Sequence, residues 1–366
     1  MTDHVRSAPE SDFVAPVGHE VYQIDTRMAG YQGITAGYLI RSERPCLVET
    51  GTAPSAPVVR DALASLGVHA ADLATVVVTH IHLDHAGGVG DIAAMFPAAQ
   101  VVVHELGARH LADPSRLMAS ARMVYGDELD DLFGELAPTP AERIRTVERT
   151  GTVDLGGGRR LESHYSPGHA KHHVGLIDSV SGDLYVGDAA GIYIPETGDQ
   201  RPATPPPDFD LDVALSSLRM FAALRPTRLL FSHYGPVGAV AEALDRSAEE
   251  IRLWVAETRR ARQAGLDLDH AVAMVAERTR ERYAVLAPDA DPSWRPSTTA
   301  SRVRRRTSRA SCTGWTRPAR QPDRPRRVSA VTRRLPWPGR PGGSRPARRG
   351  RSPGSRAWHR WPGSRP

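Results

Sequence analysis

The segment from Val76 to Gly90, VVVTHIHLDHAGGVG, places His80, His82, Asp84 and His85 within six residues, directly after an apolar run. The run predicts a short buried strand, so the cluster lies where a strand ends. His80 and His82, two positions apart, project to the same side of an extended segment and can reach one cation. Asp84 and His85 follow at the turn and can serve a second cation. Four such side chains would be costly to bury without partners, so the pattern indicates a metal site.

Three later segments offer further ligands in the same context, just beyond apolar runs. HYSPGHAKHHVGL contains His169 on a turn between two predicted strands. LYVGDAAG contains Asp188 after a strand, and LLFSHYGP contains His233 after another. Imidazole and carboxylate ligands suit zinc, iron or manganese. Predicted strands and helices alternate along the chain, with the ligands at strand ends, which is typical of an α/β scaffold.

These motifs resemble the metallo-β-lactamase superfamily and, within it, the glyoxalase II-like hydrolases. The resemblance rests on THIHLDHAGG, SPGH, VGDA and FSHYGP, in that order, and covers residues 15 to 240. It implies an αββα sandwich with the site at one edge, between the sheets. We expect a helical C-terminal extension and a disordered tail in addition.

The resemblance also implies a role for each ligand. One cation would be held by His80, His82 and His169, a second by Asp84, His85 and His233, with Asp188 bridging both. Two divalent metal ions are therefore the expected cofactors, with zinc as first choice and iron or manganese as alternatives. A hydroxide shared by the cations would attack a carbonyl carbon, and Asp84 would be the catalytic residue that orients it and carries its proton.

Other polar residues near these motifs have less specific signals. His173, Tyr193 and Tyr234 are candidate substrate contacts, and His173 is alternatively a support for the ligands. Glu49 stands where many members of the superfamily have Asp. It either partners the second nitrogen of a ligating histidine or lies in solvent at a strand end.

The function that follows is hydrolysis of a small ester, thioester or lactone by a dinuclear metal-dependent enzyme. The alternative is an oxidoreductase similar to the persulfide dioxygenases, which hold one iron with two His and one Asp. The complete second ligand set favours hydrolysis. The expected partner is a small-molecule substrate, without nucleic acid or membrane, and a homodimer is left open.

The charge distribution separates the C-terminal region from the rest of the chain. Residues 295–366 contain 21 of the 47 basic residues, all Arg, and one acidic residue, whereas residues 1–294 carry a net charge of −15. An acidic body argues against a nucleic-acid enzyme. The Arg/Pro-rich tail has few aliphatic residues and cannot form a core, so it is either a solvated basic arm or a non-native sequence from an altered reading frame.

The remaining boundaries follow from composition and periodicity. We expect a flexible N-terminus at 1–14, the metal-binding domain at 15–240, C-terminal helices packing on it at 241–294, and the tail at 295–366. A mostly helical insertion at 105–148 and a proline-rich loop at 202–210 are expected to cover the site. The polar N-terminus lacks the apolar centre of a secretion signal, and no run of apolar residues is long enough to span a membrane, so a cytoplasmic location is expected.

Overall fold

The fold is taken from a computed structural model, which describes residues 13–205, 207–279 and 282. The strands are β1 Val14–Gly18, β2 Val21–Asp25, β3 Ala36–Ile40, β4 Cys46–Val48, β5 Thr75–Val77, β6 Gln100–His104, β7 Ile144–Val147, β8 Thr150–Asp154, β9 Arg160–Tyr165, β10 Val174–Asp178, β11 Leu184–Gly187, β12 Ile192–Ile194, β13 Asp199–Arg201, β14 Leu229–Phe231 and β15 Gly235–Val237. The helices are α1 Ala56–Ser65, α2 Leu83–Ala86, α3 Val89–Met95, α4 Glu105–Ala112, α5 Ser115–Tyr125, α6 Glu128–Phe133, α7 Leu211–Ala223, α8 Val240–Gln263 and α9 Leu268–Thr279.

Two large sheets organise these elements. The first has the order β1-β2-β3-β4-β5-β6-β7, antiparallel as far as β4 and parallel from there on. The second has the order β15-β14-β11-β10-β9-β8, in which only the β11–β14 pair is parallel. Strands β12 and β13 form a separate hairpin. The parallel strands β4, β5, β11 and β14 all end on loops that carry candidate site residues.

The first sheet is buried on both faces, because alternate side chains along each strand enter different cores. In β3, Tyr38 and Ile40 pack between the two sheets, whereas Leu39 packs on the opposite face. Val174, Tyr185 and other side chains of the second sheet complete the core between the sheets. This explains why β3 and β4 are nearly continuous apolar segments rather than alternating ones.

Helices cover the outer face of each sheet. Val59 and Leu63 of α1 and Ile92 of α3 belong to the core outside the first sheet. The core outside the second sheet includes Leu215, Leu218 and Phe221 of α7 and Leu244, Ile251 and Val255 of α8. The αββα sandwich expected from the resemblance is therefore confirmed, and α9 packs on α8 as a C-terminal extension.

The structure corrects several local expectations. The insertion predicted to be helical to residue 148 ends in a strand, β7, because β-branched Ile144, Thr146 and Val147 pair with β6. Strand β1 already begins at Val14, inside the segment expected to be flexible, and the β12–β13 hairpin was not predicted. The predicted tail at 295–366 lies outside the described residues. Within the described residues, none of the helices combines the length and apolar character needed to cross a membrane.

Candidate metal centre

The predicted ligands come from both sheets and meet at one edge of the sandwich. His80 and His82 follow β5, and His82 immediately precedes the short helix α2, which carries Asp84 and His85. The remaining ligand candidates follow strands of the second sheet: His169 after β9, Asp188 after β11 and His233 after β14. Ligands that are distant in the sequence are brought together because the strands of the two sheets end at the same edge.

The first group consists of three imidazoles with converging nitrogens. Nδ1 of His82 lies 3.0 Å from Nε2 of His80 and 2.9 Å from Nε2 of His169. His80 and His169 are buried, and His82 is partly exposed. Three nitrogen atoms at these distances are the donor set of a His₃ site, which leaves a further coordination position for water or substrate.

The second group contains Asp84, His85 and His233, and Asp188 lies between the two groups. Nε2 of His233 is 3.3 Å from Oδ2 of Asp84. One oxygen of Asp188, Oδ1, is 3.2 Å from Nε2 of His85 and 3.6 Å from Nε2 of His233. The other, Oδ2, is 3.5 Å from Nε2 of His169 in the first group. The carboxylate thus presents one oxygen to each group.

Groups outside the cluster orient the ligand rings, and the sequence motifs gave no sign of most of them. The pairs are Nδ1 of His80 with Oγ1 of Thr79 at 3.0 Å, Nδ1 of His169 with the carbonyl oxygen of Ala203 at 3.1 Å, and Nδ1 of His233 with the carbonyl oxygen of Ile34 at 2.8 Å. A carbonyl oxygen accepts only from a protonated nitrogen, so His169 and His233 carry a proton on Nδ1. In the neutral form of each ring, the Nε2 lone pair is then directed into the cluster. The Ala203 contact also brings the predicted 202–210 loop to the site.

Glu49 is buried beside the second group rather than in solvent. Its Oε1 accepts a hydrogen bond from the backbone N–H of Thr79 at 3.1 Å. Its Oε2 faces Nδ1 of His85 at 3.5 Å and has no hydrogen-bond partner. The carboxylate therefore links the strand-end loop to a ligand ring, which is the supporting role considered from the sequence.

The electrostatics of the cluster favour a cation. Burial and the neighbouring His169 lower the pKa of His82 to about 3, so this ring is neutral near pH 7. Burial opposes ionisation of Asp188, but His85, His233 and His169 outweigh it and hold its pKa well below the usual range. Although burial acts to lower the pKa of His85, Asp188 and Asp84 raise it well above its ordinary value. The buried carboxylates of Asp84 and Asp188 therefore favour a positive charge in this part of the cluster.

A metal ion would satisfy the donor atoms of these residues better than the residues satisfy one another. Oδ1 of Asp188 and both ring nitrogens of His85 are buried without a hydrogen-bond partner. Such atoms normally pair with protein, water or an ion, and leaving them unpaired is costly. Among the described residues, three overlapping groups each place one ligand atom per residue within 4.8 Å of the others: His80, His82, His169; His80, His85, Asp188; and Asp84, His85, His233. The donors are imidazole and carboxylate throughout, which suits zinc, iron or manganese.

The three candidate substrate contacts occupy different environments. His173 is fully buried, with Nδ1 2.8 Å from Oγ of Ser166 and Nε2 accepting from the backbone N–H of Asp188 at 3.2 Å. Because both ring nitrogens are engaged, this arrangement favours support of Asp188 over contact with a substrate. The hydroxyl of Tyr234 donates to Oδ2 of Asp25 at 3.3 Å. Tyr193 is partly buried, with its ring 5.8 Å from that of Phe231.

Comparison with known proteins agrees with the fold and the motifs. The profile described as "Metallo-beta-lactamase superfamily" matches residues 30–233, which contain every predicted ligand. This match covers more than half of the chain, and the protein belongs to the metallo-beta-lactamase superfamily.

Individual relatives share a quarter to a third of their aligned residues with this chain. A metallo-beta-lactamase fold-containing protein of Sulfurisphaera tokodaii is 33% identical over 166 residues, which span 44% of this chain and 60% of that relative. A probable metallo-hydrolase of Bacillus subtilis is 25% identical over 248 residues, 61% of this chain and 74% of that protein.

Solved structures show the same fold. An archaeal metallo-beta-lactamase superfamily protein from Sulfolobus tokodaii superposes with a TM-score of 0.60 at 21% identity, covering 81% of this chain and 98% of that one. A metallo-beta-lactamase family protein from Thermus thermophilus gives a TM-score of 0.51 at 22% identity, covering 67% and 83%.

Proposed function

We propose that the protein is a dinuclear metal-dependent hydrolase of a small ester, thioester or lactone. The observation that carries the proposal is the position of Asp188, whose two oxygens face the two ligand groups. A site for one metal would need only one of these groups. The family membership and the similarity to a probable metallo-hydrolase support a hydrolytic reaction.

The residues divide the work of such a reaction. Divalent cations held by the two groups would lower the pKa of a coordinated water toward neutrality and polarise the carbonyl of the substrate. His169 and His233 keep their lone pairs aimed at the site because backbone carbonyls hold the Nδ1 protons. Asp84 is partly exposed, so its carboxylate can reach the attacking water, take up its proton and pass it to the leaving group. Zinc is the first choice of metal, with iron or manganese as alternatives.

The test is the metal content of the purified protein, measured by plasma mass spectrometry for wild type and Asp188→Ala. About two metal ions per chain in wild type and fewer in the variant support the dinuclear site. The matched control is Asp154→Ala, which removes an exposed carboxylate paired with Arg44 and should retain the wild-type metal content. One iron per chain in wild type, instead of two metal ions, would refute the dinuclear site and favour the persulfide dioxygenase-like alternative.

Activity is then measured with one compound of each class: 4-nitrophenyl acetate, an acetyl thioester and γ-butyrolactone. We expect turnover that is lost on chelation and restored by added metal. Metal-loaded protein that cleaves none of the three classes would refute hydrolysis of small acyl compounds while leaving the metal result intact.

A further inference from the structure

The loop between β2 and β3 supports His233, a member of the second ligand group. The carbonyl oxygen of Ile34, near the end of this loop, accepts the hydrogen bond from Nδ1 of His233 at 2.8 Å. Both residues are buried, so this carbonyl is the partner that the ring nitrogen requires. The orientation of the His233 ring therefore depends on where the loop places one carbonyl group.

Asp25, the last residue of β2, holds the loop that contains this carbonyl. Its side chain is buried, and Oδ1 accepts from the backbone N–H of Arg27 at 2.9 Å. Its Oδ2 accepts from the backbone N–H of Gly33, directly before Ile34, at 2.7 Å. One carboxylate thus fixes the loop both at its beginning and immediately before the carbonyl that serves His233.

The same carboxylate is linked to the other side of the His233 contact. The hydroxyl of Tyr234, the residue after His233, donates to Oδ2 of Asp25 at 3.3 Å. Asp25 binds Gly33, Ile34 binds His233, and Tyr234 returns to Asp25, so the contacts form a closed ring around the ligand. A side chain that closes such a ring restrains both partners of the ligand hydrogen bond at once.

The loop has a backbone conformation that needs this restraint. Arg27 has φ +51° and Ala29 has φ +52°, in the left-handed region that residues with side chains rarely adopt. Such conformations persist only where the surroundings determine them, and they are concentrated at functional sites. Because Asp25 binds the N–H of Arg27, its carboxylate stabilises the first of these two residues directly.

The base of the loop also lies against the segment that holds His85. A Cβ at Gly51 would meet Cβ of Thr26 at 2.7 Å. Thr50, next to Gly51, donates to the carbonyl oxygen of His85 from its backbone N–H at 2.8 Å and from Oγ1 at 2.9 Å. The described ring partners of the three-histidine group, by contrast, lie outside this loop.

We propose that Asp25 is a positioning residue that sets the affinity of the second ligand group for a divalent cation. This inference rests on the proposed dinuclear site and deepens it. Asp25 positions His233 through the backbone of Gly33 and Ile34, and it leaves the three-histidine group unaffected. The proposal also assigns the hydroxyl of Tyr234 to support of a ligand rather than to contact with the substrate, because Asp25 engages that hydroxyl.

The test is stepwise binding of cobalt(II), followed by visible absorption, to metal-free wild type, Asp25→Ala and Asp25→Asn. A His233→Ala protein identifies which binding step belongs to the second group. We expect Asp25→Ala to weaken that step about 10- to 100-fold and to leave the other step within about threefold of wild type. The amide of Asp25→Asn keeps one oxygen for Gly33 and Tyr234, so this variant should recover most of the affinity.

Asp183→Ala is the control for a purely structural effect. Asp183 is a fully buried carboxylate paired with Arg228 at 2.6 Å, and it lies directly before β11, at the end of that strand away from Asp188. Its loss should lower thermal stability without weakening either cobalt step. Equal weakening of both steps in Asp25→Ala, an unchanged second-group step, or no recovery in Asp25→Asn would overturn the role assigned to Asp25.

A second variant decides the question if Asp25→Ala does not fold. Tyr234→Phe removes only the hydroxyl that closes the ring, and Tyr22→Phe is its control, since Tyr22 is largely buried and its ring packs on Arg41. A second-group step weakened about 3- to 10-fold in Tyr234→Phe would support the proposal. An unchanged step would overturn it.

Failure of the dinuclear site would be recognised separately, because wild type would then bind a single equivalent of cobalt. In that case, proton NMR of the Nδ1–H of His233 in the metal-free protein tests Asp25. A proton held on a buried carbonyl exchanges slowly with water. Faster exchange in the Asp25 or Tyr234 variants than in their controls would support the positioning role, and equal exchange would overturn it.

Discussion

Glu49→Gln is the substitution that most directly tests how the second ligand group is supported. In wild type, Oε1 of Glu49 accepts from the backbone N–H of Thr79, and Oε2 faces Nδ1 of His85 at 3.5 Å. If His85 coordinates a metal through Nε2, it carries its proton on Nδ1 and directs that proton at Oε2. The substituted glutamine side chain would keep an oxygen for Thr79 but present an amide N–H₂ to the ring, so two donors would face each other in a buried site.

Partners of this kind change metal affinity by about 10- to 100-fold, or about 1.4–2.7 kcal/mol. We expect that loss at the group of Asp84, His85 and His233, and little change at the three-histidine group, whose rings are held by other partners. The assay is metal content after dialysis against increasing concentrations of a chelator. The substituted protein should release about one metal ion at a chelator concentration that wild type tolerates.

Glu43→Gln serves as the matched control, because Glu43 is exposed and lies just before the same strand, β4. It should follow the wild-type release curve. The reasoning about His85 would be refuted by a Glu49→Gln protein that holds both metals as tightly as wild type, and equally by one that loses both metals together.

Three further predictions concern stability. Gly187 has φ +50°, and a Cβ there would lie 2.5 Å from Nε2 of His173 and from Oγ1 of Thr79. Gly187→Ala should therefore lower the free energy of unfolding, measured by urea titration, by about 1–3 kcal/mol. An unchanged midpoint of the titration would contradict this. Phe221→Ala removes a fully buried ring from the core outside the second sheet and should cost about 3–5 kcal/mol by the same measurement, whereas a cost below about 1 kcal/mol would mean that the cavity collapses. Burial lowers the pKa of His104 in the folded protein, so the unfolded chain binds a proton at this ring first as the pH falls. The free energy of unfolding should therefore decrease as the pH drops through and below about 6.5. The decrease should be smaller in His104→Gln.

Local patterns were enough to propose the candidate ligand residues, whereas the αββα sandwich was implied by the resemblance to the family. The apolar run before His80 marks a buried strand, and two histidines spaced by one residue share a side of an extended chain. The amphipathic spacing of α7 likewise places Leu215, Leu218 and Phe221 on one buried face.

The backbone partners of His169 and His233 could not be predicted, because they are carbonyl oxygens far away in the chain. Nδ1 of His233 is held by the carbonyl oxygen of Ile34, 199 residues earlier. Every residue carries the same backbone carbonyl group, so the sequence contains no signal for such a contact.

The strand β7 was missed because its four residues follow a long helical segment and pair only at the edge of a sheet. Ile144–Val147 has a burial pattern with a single fully buried residue, so its periodicity is weak. The hairpin β12–β13 was missed because its strands are also short, and pairing rather than composition defines it.

The division of the ligands between two sheets has a consequence for the folding of the chain. A cation bound here would be attached to the loop after β5 and, at the same time, to the loops after β9, β11 and β14. It would act as a cross-link between the two halves of the sandwich, and its binding free energy would add to the stability of their association. Neither half alone offers the complete donor set. Retention of metal would therefore measure whether the two halves are joined, independently of whether any substrate is turned over.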